Sequence, residues 1–356
     1  MSNNHNMLLA GLSMMTAMLF ISCGDGISGP TAPGSWYGWA VGEADASGGL
    51  VLRTSNGGVS WDRQISPAIG SVHLEDVHTV DSMCAWTVGF PSDGYGMIAR
   101  TVDGGSSWQR LGEQGVIPFT GINAVHAFDR NTAWVIGDEN TILHTTDAGE
   151  NWISMSDPAY ADFGYDDIYA YSANLIWIVG GDGNSGVILH SANGGSTWEL
   201  QGSEFLLDSF PLINVSVVDD TTAWIVGHGH TVARTIDGGD TWELCVPDSL
   251  PRTSMSDDAN GVVALPSGWV LVTMDYGKVY ISENSGETWT KQDVPTAELL
   301  LGCCALDEQR TWAAAEAMNA SGGCIIGTTN GGGVWGLQYS SGLTGVSSIS
   351  IAGSQH

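Results

Sequence analysis

The chain has 356 residues and carries only 10 Lys plus Arg against 39 Asp plus Glu, a formal charge of −29. So acidic a surface repels nucleic-acid phosphates and anionic lipid, which argues against both as partners. It leaves solubility in a salty environment, a cation, or a basic patch on a protein partner as uses for the charge.

In chain order, residues 1–22 read as a lipoprotein-type signal peptide. Met7–Ser22 is apolar or small throughout and runs through Phe20, Ile21 and Ser22 into Cys23, the expected lipidated residue. The stretch is shorter than the about 20 residues a spanning helix needs, and Met1–Asn6 contains no Lys or Arg. Residues 23–35, rich in Gly, Pro and Ser, form a flexible tether. The expected location is extracytoplasmic, in a bacterial cell envelope, with membrane contact only through the N-terminal lipid.

From residue 36 to 356 one pattern organises the chain. Ser/Thr-x-Asp/Asn-Gly/Ala/Ser-Gly-x-x-Trp recurs seven times: Thr54–Trp61, Thr101–Trp108, Thr145–Trp152, Ser191–Trp198, Thr235–Trp242, Ser282–Trp289 and Thr328–Trp335. The acidic or amide positions are Asn56, Asp103, Asp147, Asn193, Asp237, Asn284 and Asn330. The box tryptophans are Trp61, Trp108, Trp152, Trp198, Trp242, Trp289 and Trp335. A second motif keeps step, Gly-Trp-Ala-Val-Gly at Trp39 and its variants at Trp86, Trp134, Trp177, Trp224, Trp269 and Trp312. Each unit reads as four short antiparallel strands, with the box on the hairpin between the third and fourth. There the Asp or Asn accepts turn N–H bonds and the glycine permits positive φ.

Seven such units predict an all-β, seven-bladed propeller, which protects sheet edges by radial closure. The first unit lacks a first strand, and Leu343–Ala352 supplies one after the last box. The C-terminal strand is therefore expected to complete blade one. Five further cysteines, Cys84, Cys245, Cys303, Cys304 and Cys324, show no metal spacing and read as small buried hydrophobes.

The box turns share one face of the ring; the opposite face collects the turns between strands two and three and the blade-to-blade connections. Those connections, Leu111–Thr120, Met155–Gly164, Leu200–Pro211 and Leu244–Asp258, are long and carry Phe119, Tyr160, Phe163, Phe205 and Phe210. Variable loops on a rigid scaffold are the default place for recognition. The innermost strands start at the same face with Glu75, Asp76, Asn123, Asp166, Asp167, Asn214, Asp257 and Asp258. These are expected to form an acidic rim around the channel mouth, able to take a cation or a basic peptide or serving simply as solvated strand starts. His78, His126, Tyr169 and Ser216 follow on the same strands, and His228 and His230 lie on a tight turn. No metal or cofactor motif is read from them. Arg53, Arg100 and Arg234, with His144 and His190, precede box residues and are expected to bridge neighbouring blades.

The boxes resemble the Asp-box (BNR) repeat of sialidases. The paired signature Ala133-Trp-Val-Ile-Gly and Ile142-Leu-His-Thr-Thr-Asp-Ala-Gly-Glu-Asn-Trp152 resembles the photosystem II assembly/stability factor family and its non-photosynthetic bacterial relatives. That resemblance implies a secreted or lumenal propeller that binds another protein and is not an enzyme. Photosynthetic members are expected to carry an arginine-rich binding patch, whereas this chain has eight Arg and two Lys. The Arg-Ile-Pro motif of sialidases is absent. The expected function is a non-catalytic protein-binding or assembly module; the alternative is a carbohydrate-active propeller that cleaves or binds glycans.

Overall fold

The computed structural model describes residues 20–22, 36–90, 95–112, 117, 120–202, 210–245, 258–294, 297–317, 322–340 and 345–353. They form seven antiparallel sheets of four strands arranged as a propeller. Among the described residues every element is a strand apart from one 3-10 turn at Pro158–Tyr160. Blade three is representative, with Ile122–Ala127 innermost, then Ala133–Gly137, Thr141–Thr145 and Ile153–Ser154 at the rim.

Blade one is built from both ends of the repeat region. Val346–Gly353 pairs antiparallel with Trp36–Asp45, placing Ser350 opposite Trp39 and Ile349 opposite Ala40. The expected closure is therefore observed. Thr79 on blade two then donates its N–H to Ser350 Oγ at 2.9 Å and its hydroxyl to Ser350 O at 2.8 Å. One additional strand, Phe20–Ser22, runs parallel to Leu74–Thr79, opposite Asp76, Val77 and His78. It belongs to the stretch expected to leave with the signal peptide. The rest of residues 1–22, Cys23 and the 23–35 tether lie outside the described residues.

All seven boxes adopt one hydrogen-bonded turn. The first-position hydroxyl accepts the glycine N–H four residues on, at 2.8–3.0 Å. The Asp or Asn Oδ1 accepts the N–H four residues beyond itself, again at 2.8–3.0 Å. The box glycines have φ between 76° and 94°, which a Cβ would strain. Side-chain hydrogen bonds hold the Asp103, Asp147 and Asp237 carboxyls below the usual range. Box polarity is thus spent inside the turn.

The box tryptophan works between blades. Trp152, Trp198, Trp242 and Trp289 meet Trp86, Trp134, Trp177 and Trp224 of the preceding blade edge to face, at centroid distances of 5.7–6.3 Å. The inner partners are fully buried, and the core lies in these wedges between blades. One such wedge joins Trp134, Ile136 and Ile142 to Ile168, Ile178 and Leu189. Arg53, Arg100 and Arg234 stack over Trp39, Trp86 and Trp224 at 5.1–5.6 Å. Each also donates to a backbone carbonyl of the next blade: Ser82, Arg130 and Ser285 respectively. They are inter-blade ties, as expected.

One register assignment is corrected. Trp269 does not occupy the second-strand tryptophan position of blade six. Leu271 pairs with Ile281 just as Trp224 pairs with Arg234, so Leu271 takes that place and Trp269 precedes the strand. Cys84, Cys245, Cys303, Cys304 and Cys324 are buried and none of them is in a disulfide.

Candidate functional site

Except on blade two, where Phe20–Ser22 lies along it, the innermost strand of a blade faces the channel with an edge that no further described strand covers, and its outward N–H groups need acceptors. Side chains of the neighbouring inner strands supply them. Asp76 Oδ2 accepts the Val125 N–H of blade three at 2.9 Å, while its Oδ1 accepts Val77 N–H and the Ser348 hydroxyl of blade one. Asp167 Oδ2 accepts Val215 N–H of blade five at 2.9 Å and Asn214 Nδ2 at 2.7 Å. Asn214 Oδ1 in turn accepts Val262 N–H of blade six at 2.9 Å, and Ser216 Oγ accepts Ala264 N–H at 3.1 Å. Asp76, Asp167 and Asn214 are therefore buried ties between blades rather than parts of an open rim. Burial raises the Asp76 carboxyl to about 7 and pushes Asp167 well up, against the opposing pull of their amide donors.

The residue just before this position behaves differently. Inner strands carry a β-bulge here, between Leu74 and Asp76 on blade two, Ile122 and Ala124 on blade three, and Tyr165 and Asp167 on blade four. The skipped residues are Glu75, Asn123 and Asp166. Blade six repeats the arrangement with Asn260, which the sequence reading did not single out. Asn123 Nδ2 donates to Asp138 Oδ1 at 3.2 Å and to Tyr165 O on blade four at 2.9 Å. Asn260 Nδ2 repeats both bonds, to Asp275 Oδ1 at 2.8 Å and Leu300 O at 2.8 Å.

Asp138 and Asp275 sit on the turns between strands two and three, opposite the box face. His228 occupies the corresponding turn of blade five, and Glu43 stands near the end of the blade-one strand Trp36–Asp45, just before its turn. Glu75 is buried, and burial, with the charges of Asp76, Asp138 and Glu43, raises its carboxyl to about 8. Asp166 is half-buried; burial and the Asp138 charge raise it to about 7, with His228 opposing. Asp258 stands just before the blade-six inner strand, where it accepts His228 Nδ1 at 2.6 Å and Gly229 N–H at 3.0 Å. Burial disfavours a charged His228, yet the Asp258 bond and the charges of Asp258, Asp166 and Asp275 leave its pKa raised. Asp257, like Phe119 and Phe205, lies outside the described residues.

Deeper in the channel, His78, His126 and Tyr169 form a ring-to-ring arc, with centroids 4.6 Å and 5.0 Å apart. Burial lowers both imidazoles, His126 to about 3, so they are neutral. Among the described residues no three His, Cys, Asp or Glu side chains are placed to hold a metal ion. Of the aromatic loop residues, Tyr160 and Phe163 pack against the blade-three to blade-four core, and Phe210 lies against Gly229.

The missed residues Glu43, Asp138 and Asp275 share a repeat position. Each directly follows the last residue of the second-strand motif, after Gly42, Gly137 and Met274. Aligning the repeats on that residue finds them.

Comparison with known proteins agrees with this architecture. The signature of the family described as photosynthesis system II assembly factor YCF48 matches residues 165–315, under half of the chain. The photosystem II assembly lipoprotein Ycf48 of Synechococcus sp. (strain CC9902) is 25% identical over 163 residues, 45% of this chain and 45% of that protein. The similarity thus spans less than half the length of that curated relative. A solved structure described as YCF48 bound to D1 peptide superposes with a TM-score of 0.56 at 19% identity, covering 75% of this chain and 82% of that one. The GH74 xyloglucanase from Xanthomonas campestris gives a TM-score of 0.62 at 12% identity, covering 90% of this chain and 56% of that one. At these identities the two structures share the fold. The chain resembles the assembly-factor family in its boxes, its paired signature and its seven blades.

Proposed function

We propose that this chain is a non-catalytic protein-binding or assembly module of a bacterial cell envelope, held outside the cytoplasm by lipid on Cys23. Its partner offers a basic segment to the channel mouth opposite the box turns. One observation carries this reading. Box polarity is consumed within each turn, whereas Glu75, Asp138, Asp166, Asp258 and Asp275 gather at the other mouth with His228 as the cationic neighbour that acts on Asp166. A lysine or arginine from a partner relieves that repulsion. The relative named an assembly lipoprotein, and the YCF48 structure holding a D1 peptide, support a protein partner and an anchor.

The test is cross-linking and capture from solubilised envelope, comparing wild type with Asp138→Asn/Asp166→Asn. The expected result is one partner enriched by wild type, depleted by the double variant and sensitive to salt. Equal capture by both proteins places the contact elsewhere. For the anchor, Cys23→Ser is expected to move the protein from the membrane fraction to the soluble one, and unchanged partitioning overturns the lipid tether.

The carbohydrate-active alternative has its own support. The xyloglucanase shares the fold over most of this chain, and carboxyls raised towards neutrality are the raw material of a glycosidic acid catalyst. Reducing-end release from xyloglucan, abolished by Glu75→Gln or Asp166→Asn, would replace the binding reading with the enzymatic one.

A further inference from the structure

The channel holds a length of the chain's own backbone. Phe20–Ser22 runs parallel to the blade-two inner strand Leu74–Thr79, with Phe20 opposite Asp76, Ile21 opposite Val77 and Ser22 opposite His78. It makes that sheet five-stranded, whereas the other six have four strands. The segment also lies against the inner strands Val346–Gly353, Ile122–Ala127, Gly164–Ala170 and Ala297–Ala305 of blades one, three, four and seven. An extended chain therefore fits along the axis of the ring.

The hydrogen bonding explains why blade two can take it. On blades three, five and six the corresponding edge amide, that of Val125, Val215 or Val262, is tied by a side chain of another inner strand. At the same place on blade two, Val77 N–H is accepted at 2.8 Å by Asp76 of its own strand. The blade-one residue in the tying position is Ser348, and its hydroxyl donates to that same Asp76 oxygen instead. Beside the paired backbone stand the rings of His78, His126 and Tyr169. Both imidazoles are neutral, so the surroundings suit an uncharged segment, since an unpaired charge buried there would be costly.

We infer that the inner edge of blade two is a strand-accepting site for an extended, uncharged segment of a partner protein. The segment runs parallel to Leu74–Thr79, and Phe20–Ser22 holds its place only until it leaves with the signal peptide. Main-chain pairing supplies the affinity in such an arrangement, and alternate side chains supply the selectivity. Because Leu74–Thr79 starts at the acidic mouth and ends towards the box face, the bound segment has its N-terminal side at the acidic mouth. The opening of the edge rests on the signal-peptide reading; the site itself does not, and neither needs the basic contact proposed for the mouth.

The probe is the acetylated, amidated peptide Leu-Phe-Ile-Ser, the sequence of residues 19–22, with a photoreactive benzoylphenylalanine in place of Phe. In the full chain, Ile21→Pro removes a backbone N–H from the resident segment and releases it without altering any blade residue. An occupied edge lowers apparent affinity by the fraction of molecules in which it is free, so the unprocessed wild type should bind the probe about tenfold more weakly than Ile21→Pro. Cross-links in the variant should map to Leu74–Thr79 or the inner strands facing it, and a probe N-methylated at Ile should not bind. Thermal melts confirm the ring, and Phe20→Pro stands in should Ile21→Pro fail to fold. Equal binding by wild type and variant, cross-links confined to outer strands, or undiminished binding of the N-methylated probe overturns the site. Produced with its signal in a bacterial host, the mature protein should begin at Cys23 by mass spectrometry and bind like the variant. A mature chain that keeps Phe20–Ser22 overturns the opening to a partner. Partner capture lost in Asp138→Asn/Asp166→Asn reports on the mouth contact alone, so that reading stands or falls separately.

Discussion

Asp167 and Asn214 are joined by a 2.7 Å hydrogen bond, and each also accepts an amide proton from the next inner strand, Asp167 from Val215 and Asn214 from Val262. Three blades are linked by two side chains whose polar atoms lie out of water. Asn214→Leu would strand the Val262 N–H and remove a donor from Asp167. Each buried group left unpaired costs about 1–3 kcal/mol, so the variant should lose about 2–4 kcal/mol in urea unfolding. An unchanged midpoint would show that water replaces the tie.

The box turns make a second prediction. Gly149 has φ 83°, and a Cβ there would meet Leu111 Cδ1 at 2.7 Å. Gly149→Val combines strain with overlap and should destabilise by about 1–3 kcal/mol. Trp152, buried edge-on against Trp86, should cost about 3–5 kcal/mol as Trp152→Ala. Melting curves that coincide with wild type would count against both packing arguments.

Closure is tested by truncation. Removing residues 345–356 leaves Trp36–Asp45 with an unpaired inner edge and Thr79 without its Ser350 acceptors. Exposed edges invite pairing between molecules, so size-exclusion chromatography should show oligomers and calorimetry a broadened transition. A monomer with the full-length profile would mean that the ring holds without its clasp.

Stability should also depend on pH in a defined sense. Glu75 has a folded value of about 8 against an ordinary value of 4.5. Its contribution is therefore fully present below about 4.5 and is lost as pH rises through about 8. His126, lowered from 6.5 to about 3, works oppositely; its contribution is present above about 6.5 and is lost as pH falls through about 3. The melting temperature should peak in the mildly acidic range and fall towards pH 9, and Glu75→Gln should flatten the alkaline limb. A Tm that rises steadily from pH 6 to pH 9 would contradict the burial of Glu75.

Much of the scaffold was legible because the box and the second-strand motif carry it twice over, once as turn chemistry and once as tryptophan spacing. Blade six shows the limit. Trp269 looks like the repeat tryptophan, but only strand register reveals that Leu271 fills the position. The rim was harder for the same reason. Glu75 and Asp76 are neighbours in sequence, yet a bulge sends one towards the mouth and the other into the inter-blade ties, and a bulge leaves no residue signature of its own. Asp138 and Asp275 were missed because they are turn residues, and acidic turn residues are ordinary in so acidic a chain. The arginines were read correctly because each sits one residue before a box, where its stem lies over a tryptophan ring.

The joining of Val346–Gly353 to Trp36–Asp45 also sets an order of events during synthesis. Domains generally fold as units as the chain emerges, but blade one waits for the last strand of the ring to be made. Until then its second strand, the earliest of its three to appear, has an open inner edge. The closed ring is thus complete only once Val346–Gly353 has been made.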